Sequence, residues 1–119
     1  MESILQQKSF AFALKVIDIY KQIVSSHKEY VLSRQILKSG TAIGALIREA
    51  EYAQSKADFI SKMSISLKES NETEYWLLLL RDSGYLEKEK ANEMIANNKE
   101  LIKMLISSIN TTKKSLKSN

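Results

Sequence analysis

Proline and cysteine are both absent from this chain of 119 residues, and glycine occurs only three times. Without cysteine there are no disulfides, no thiolate metal ligands and no cysteine nucleophile. Without proline, and with so little glycine, most turn-forming material is missing, so the chain is expected to fold as a few long helices. Histidine is scarce too, His27 being the single one. No apolar run approaches the roughly 18 residues a membrane span requires. The first apolar cluster, Phe10 to Leu14, is followed by Lys15 and Asp18 and has no basic leader. A membrane partner is therefore not expected, and the cytoplasm is the default compartment.

What is present fits one soluble domain over residues 1–119, with 44% hydrophobic and 27% charged residues. A chain of this size hides roughly two-thirds of its surface on folding, enough for a single core. The formal charge of +4 weakly favours anionic partners.

The apolar periodicity divides the chain into four helices, over about residues 3–26, 30–53, 56–82 and 87–116. The first carries two interleaved stripes, Phe10, Leu14, Ile17, Tyr20, Val24 and Phe12, Val16, Ile19, Ile23. One face suffices for a bundle helix, so the second stripe calls for deep burial, another subunit or a protein ligand. The polar stretch Ser25 to Glu29 reads as the first connection, which places His27 in a surface loop. In the second helix Leu32, Ile36, Ile43, Ile47 and Ala50 form the expected core stripe. Gly40 and Gly44 lie one turn apart within it. Each glycine costs about 1 kcal/mol relative to alanine in a helix interior, and close helix approach is the compensating reason. A phosphate-binding loop would need Gly-Lys-Ser/Thr after a strand, which is not found.

Ser55 and Asp58 have the spacing of a capping box opening the third helix. An antiparallel turn there sets Gly44 opposite about Leu67 and Gly40 opposite about Asn71, with Glu49 in reach of Lys62. The glycines are thus expected to face the end of helix three that holds Tyr75 and Trp76, which makes these four the helix-packing residues. The leucines at 77–80 sweep about 300° of that helix, so none of its sides can lie wholly in water. Gly84 reads as a left-handed C-cap. In the fourth helix Ile95, Ile102, Ile109 and Leu116 recur every seven residues as a coiled-coil-like seam, flanked by Met94, Leu101 and Leu105.

Three segments, KSGTAIGALIREA, ADFISKMSISLKE and ETEYWLLLL, resemble the bacterial four-helix-bundle family encoded by intervening sequences of 23S ribosomal RNA genes. The likeness spans nearly the whole chain, with Lys38 standing where arginine is usual and Leu46 where asparagine is common. It implies an all-α, antiparallel up-and-down bundle that assembles into a ring, similar to the homopentameric accessory protein of diversity-generating retroelements, which binds nucleic acid and a reverse transcriptase. The ribosomal label of such proteins reflects gene location and does not imply a place in the ribosome.

The acidic residues invite a di-metal reading built on Glu49, Glu69, Glu72 and Glu74, but such centres need two Glu-x-x-His motifs, and His27 has no glutamate three residues before it. Neither a metal nor a cofactor is expected. Arg48, Glu49, Lys62, Glu69 and Glu72 read instead as structural ion pairs, and no catalytic residue is assigned. The expected function is a non-enzymatic homo-oligomer, five subunits being favoured by the resemblance. It would hold RNA or DNA without sequence preference through Arg34 and Lys38 and the tail Lys113, Lys114 and Lys117. The alternative is a scaffold that holds a protein partner.

Overall fold

The computed structural model describes residues 2–117 and is all-helical over them. Met1, Ser118 and Asn119, the ends of the expected 1–119 domain, lie outside the described residues. The helices are α1 (Ile4–His27), α2 (Leu32–Glu51), α3 (Lys56–Asp82) and α4 (Lys88–Lys117). Each packs antiparallel on the next, and α4 returns to α1 along a shorter seam, closing an up-and-down four-helix bundle of 54 × 24 × 20 Å.

Local chemistry sets the helix ends. α1 opens on a full capping box: Gln6 N–H donates to Ser3 Oγ (3.1 Å) and Ser3 N–H to Gln6 Oε1 (2.9 Å). Its C-cap, Lys28, takes a left-handed conformation (φ 52°). His27 lies in the last turn of α1 rather than in a loop, its ring edge-on to Tyr85 at 5.4 Å. α2 is capped from outside the helix, by the Glu29 carboxylate, which accepts from Val31, Leu32 and Ser33 N–H at 2.8–2.9 Å. Burial pushes the Glu29 carboxyl up, but these three donors and the Ser33 hydroxyl outweigh it and hold the group below its ordinary value.

At the α2–α3 turn Asp58 N–H donates to Ser55 Oγ (3.0 Å), as the spacing implies. The reciprocal bond reaches one residue further back, from Gln54 N–H to Asp58 Oδ2 (3.2 Å). α3 closes in a Schellman motif: Tyr85 N–H bonds Leu80 O (3.0 Å), Gly84 N–H bonds Arg81 O (3.3 Å), and Gly84 sits at φ 85°.

The core is built from Phe12, Val16, Ile19 and Ile23 of α1, Ile36, Ile43 and Ile47 of α2, Leu77 and Leu80 of α3, and Met94, Leu101 and Leu105 of α4. Each such side chain contributes about 1.5–3 kcal/mol. Between its apolar ends lies a buried polar layer. Ser66 Oγ donates to Ile43 O (2.9 Å), Thr73 Oγ1 bonds Ser39 Oγ (2.9 Å), and Asn98 Nδ2 donates to Ser70 O (2.8 Å).

Two packing expectations are corrected. A β-carbon on Gly40 would lie 2.7 Å from Val16 Cγ2, and one on Gly44 3.2 Å from Ser9 Oγ, so both glycines receive α1 and not the aromatic end of α3. The residues of α2 that face α3 are their neighbours Ser39 and Ile43, about 100° round the helix from the glycines. Tyr75 is exposed and meets Trp76 edge-on at 5.1 Å, while Trp76 is partly buried against the core. In α4 the buried seam is Ala91, Met94, Asn98, Leu101, Leu105 and Ile109. Of the expected heptad only Ile109 belongs to it; Ile95 and Ile102 flank the seam and Leu116 is exposed. The seven-residue isoleucine repeat is real, but it runs beside a line that alanine and asparagine complete.

Candidate functional site

The basic residues expected to hold a polyanion fall into two groups that the fold keeps apart. Arg34 and Lys38 are exposed on the first half of α2. Lys38 borders a groove of about 370 Å³ with Gln35, Lys68, Glu69 and Glu72. Its lysines therefore share that surface with two carboxyl groups. Burial, and next the charge and hydrogen bond of Glu72, push the Glu69 carboxyl above its ordinary value, against the opposing pull of Lys68 and Lys38.

Lys113, Lys114 and Lys117 are exposed in the last two turns of α4. Lys38 adjoins Ser39, which is tied to Thr73, one turn from the Ser70–Asn98 bond. Lys113 lies fifteen residues beyond Asn98, about 22 Å at 1.5 Å per residue. One phosphate strand cannot meet both groups without running along the bundle. The second group has a feature that the sequence reading passed over: after Glu100, α4 carries Lys103, Lys113, Lys114 and Lys117 and no carboxylate. Lys56 of α3 joins that end through a hydrogen bond to Ser115 Oγ.

Of the five residues expected in structural ion pairs, Arg48 and Lys62 form one each, with other partners, while among the described residues Glu49, Glu69 and Glu72 form none, Glu69 and Glu72 sharing a hydrogen bond instead. Arg48 Nη2 reaches Glu2 (2.7 Å) and its guanidinium lies 5.8 Å from the Phe10 ring centroid, while Lys62 pairs with Asp58 (3.9 Å). Glu49 lies beside Lys62 in an open surface hollow, with no ion pair between them. α1 is held to α4 by Lys8–Glu100 (2.6 Å) and Lys15–Glu93 (3.5 Å). These are exposed pairs, each worth about 0–1 kcal/mol.

The second α1 stripe is where the sequence reading put it. Phe12, Val16, Ile19 and Ile23 are buried, whereas Phe10 and Leu14 stand 54% and 50% exposed, with Ile17 and Val24 between the two. Arg48 of α2 flanks this strip. A groove of about 560 Å³ is bounded by the start of α1, the end of α2, the start of α3 and residues 103–108 of α4, with Leu5, Ile47, Phe59, Met63 and Met104 as its apolar lining.

Among the described residues no group of histidine, aspartate and glutamate side chains could hold a metal ion, and no helix is long and apolar enough to cross a membrane. Fold and surfaces together define an up-and-down all-α bundle protein whose distinctive features are exposed faces. Residues 1–107 match the family described as 23S rRNA-intervening sequence protein, and the chain belongs to that family. A crystal structure from Bacteroides thetaiotaomicron, described as a protein with unknown function from the S23 ribosomal protein family, is 51% identical. It superposes with a TM-score of 0.88 over 89% of this chain and 98% of its own. No curated protein matches. The family match ends at Ser107, so Lys113, Lys114 and Lys117 lie beyond it.

Proposed function

We propose that this protein is a non-enzymatic, self-associating helical scaffold whose assembly face is the outer stripe of α1. The observation that carries this reading is the pairing of a fully buried stripe with a half-exposed one on the same helix, Phe10 and Leu14 standing beside Ile17 and Val24. Large apolar side chains aligned on one helix are an association surface, and Arg48 of α2 borders it over the Phe10 ring. The test is light scattering across a concentration series. The wild type is expected to be an oligomer, with five subunits favoured by family likeness, and the Phe10→Glu, Leu14→Glu double variant a folded monomer. A wild-type monomer at micromolar concentration refutes the reading.

A second reading, sequence-tolerant binding of RNA or DNA, is favoured by the carboxylate-free half of α4. Assembly would repeat that basic end and raise the net charge with each subunit added, and each phosphate neutralised steepens the salt dependence. Replacing Lys113 and Lys117 by glutamate should weaken binding to unrelated sequences equally and flatten the log–log salt slope. Replacing Arg34 and Lys38 should do less, because Glu69 and Glu72 already oppose Lys38. No binding at low salt leaves the protein scaffold alone.

A further inference from the structure

α1 is not the only helix with apolar side chains turned away from the core. The buried stripe of α3 runs through Met63, Ser66, Ser70, Thr73, Leu77 and Leu80. At about 100° per residue, the opposite side of that helix is the line Ser61, Ile65, Lys68, Glu72, Tyr75 and Leu79, spaced by four and three. On it Ile65 and Tyr75 stand 42% and 56% exposed, and Leu79 is partly buried. α1 and α3 each pack on α2 and α4 and do not adjoin, so they are diagonal in the bundle and their outer lines face opposite ways. The two lines nevertheless lie at the same height. Ser9 of α1 faces Gly44 while Ser66 of α3 bonds the neighbouring Ile43, and Val16 faces Gly40 while Thr73 bonds Ser39. Since α1 and α3 run in the same direction, Phe10 to Lys21 spans the height of about Leu67 to Leu78.

We infer that the outer stripe of α1 in one copy of the chain seats on the outer line of α3 in the next copy, parallel to it. This rests on the assembly reading above and adds the face that receives the α1 stripe. The charges select it. α1 carries Lys8, Lys15 and Lys21 against Asp18 alone, and Arg48 of α2 borders its stripe. From Glu69 to Leu80, α3 carries Glu69, Glu72 and Glu74 and no basic residue. Glu69 and Glu72 share a hydrogen bond, and among the described residues neither makes an ion pair. Two α1 stripes laid on each other would set lysines against lysines, whereas α3 offers carboxylates beside the apolar side chains of Ile65, Tyr75 and Leu79. Phe10, Leu14, Ile17 and Lys21 have the same spacing of four and three as the α3 line, so the two interdigitate. Because α1 and α3 point the same way in every bundle, parallel seating sets neighbouring copies side by side in one orientation. The contact joins two different faces, so each added copy leaves one face free until a rotation closes the series, and the assembly is not a two-fold dimer.

The experiment uses two variants of the full chain, each blocked on one face. Phe10→Glu with Leu14→Glu blocks the α1 stripe, and Ile65→Glu with Tyr75→Glu blocks the α3 line. Glutamate on both keeps the two blocked faces from pairing with each other. All four side chains are exposed, so circular dichroism should show wild-type helix content in both variants. Light scattering over a concentration series should find each variant monomeric alone where the wild type is assembled. Their equimolar mixture should form a one-to-one dimer and nothing larger, because each retains the face that the other lacks. Tyr75→Glu alone, the milder change, should weaken wild-type assembly about tenfold. An α3 variant that assembles as the wild type does, while the α1 variant is monomeric, assigns the stripe to α1 pairing with its own copy and overturns the inference alone. A mixture that stays monomeric at every concentration also overturns it. A wild-type monomer overturns the inference together with the assembly reading on which it rests.

Discussion

Gly40 offers the sharpest test of how the bundle is packed. A methyl group there would sit 2.7 and 2.9 Å from the two γ-carbons of Val16 and 3.3 Å from its β-carbon, where contact distances are about 3.5–4.0 Å. Val16 is fully buried, and a β-branched side chain in a helix has essentially one rotamer, so it cannot swing aside. α1 and α2 must therefore separate. Alanine gains about 1 kcal/mol over glycine in helix propensity, against about 1–3 kcal/mol for overpacking. The net expectation for Gly40→Ala is a loss of about 1 kcal/mol. Val16→Ala alone should cost roughly 1–3 kcal/mol in lost burial and cavity, but in the Gly40→Ala background it relieves the clash and leaves a smaller cavity. The double variant should then be more stable than the sum of the single changes by about 1–2 kcal/mol, well outside the additivity of distant sites. Urea unfolding followed by far-ultraviolet circular dichroism gives all three numbers. A Gly40→Ala variant stabilised by the full propensity gain, or strict additivity with Val16→Ala, would show that α1 does not lie against α2 at this point.

Three further outcomes follow from the helix ends and the α2–α3 surface. Because the folded state holds the Glu29 carboxyl below its ordinary value, its stabilising effect is complete above about pH 4.5 and is lost as the pH falls through the native value. Glu29→Gln should accordingly lower stability at neutral pH, and the gap to wild type should narrow in acid titrations of the unfolding midpoint. Glu69 has the opposite sign: its raised native value means that stability is lost as the pH rises from the ordinary glutamate value through the native one. Glu69→Gln should match or exceed wild type at pH 7 and lose that advantage below about pH 4, read by the same titration. Lys28 holds a left-handed backbone without being glycine, and Lys28→Gly should raise the melting temperature, by an amount corresponding to about 0.4–1 kcal/mol.

The helices, their order and two of their caps were legible in the residues because apolar period and cap chemistry are local. Ser55 with Asp58, and Gly84 after Asp82 and Ser83, needed no partner to be recognised. Which helix a glycine receives is not local: Gly40 and Ser39 differ by one step round α2, yet one meets α1 and the other α3. The α3 stripe Met63, Ser66, Ser70, Thr73, Leu77 and Leu80 was hidden because its middle is polar and reads as a solvated face until Ile43, Ser39 and Asn98 are brought opposite it. The same holds for the α4 seam, where Asn98 takes a core position that the more apolar Ile95 and Ile102 only flank. Glu29 was missed as a cap because it acts from three residues ahead of the helix it closes. Of the surfaces, the α1 stripe could be read directly, whereas the groove depends on which helix segments the interhelical register brings together.

The polar layer across the middle of the core bears on how the chain finds one arrangement among several that look alike. An all-leucine interface between two helices tolerates a slip of one turn, since every turn offers the same greasy rung. Here a slip of α3 against α2 would carry Thr73 away from Ser39 and Ser66 away from the Ile43 carbonyl. A slip of α4 would strand Asn98 among aliphatic side chains. Each stranded group costs about 1–3 kcal/mol, so misaligned compact states lie well above the native one while the aligned state is only modestly improved. Asn98 Oδ1 and Ser70 Oγ have no partner among the described residues even in the correct alignment. The layer thus acts less as glue than as a key, and a version of this bundle with that layer replaced by leucine should melt later but fold to a blurred register.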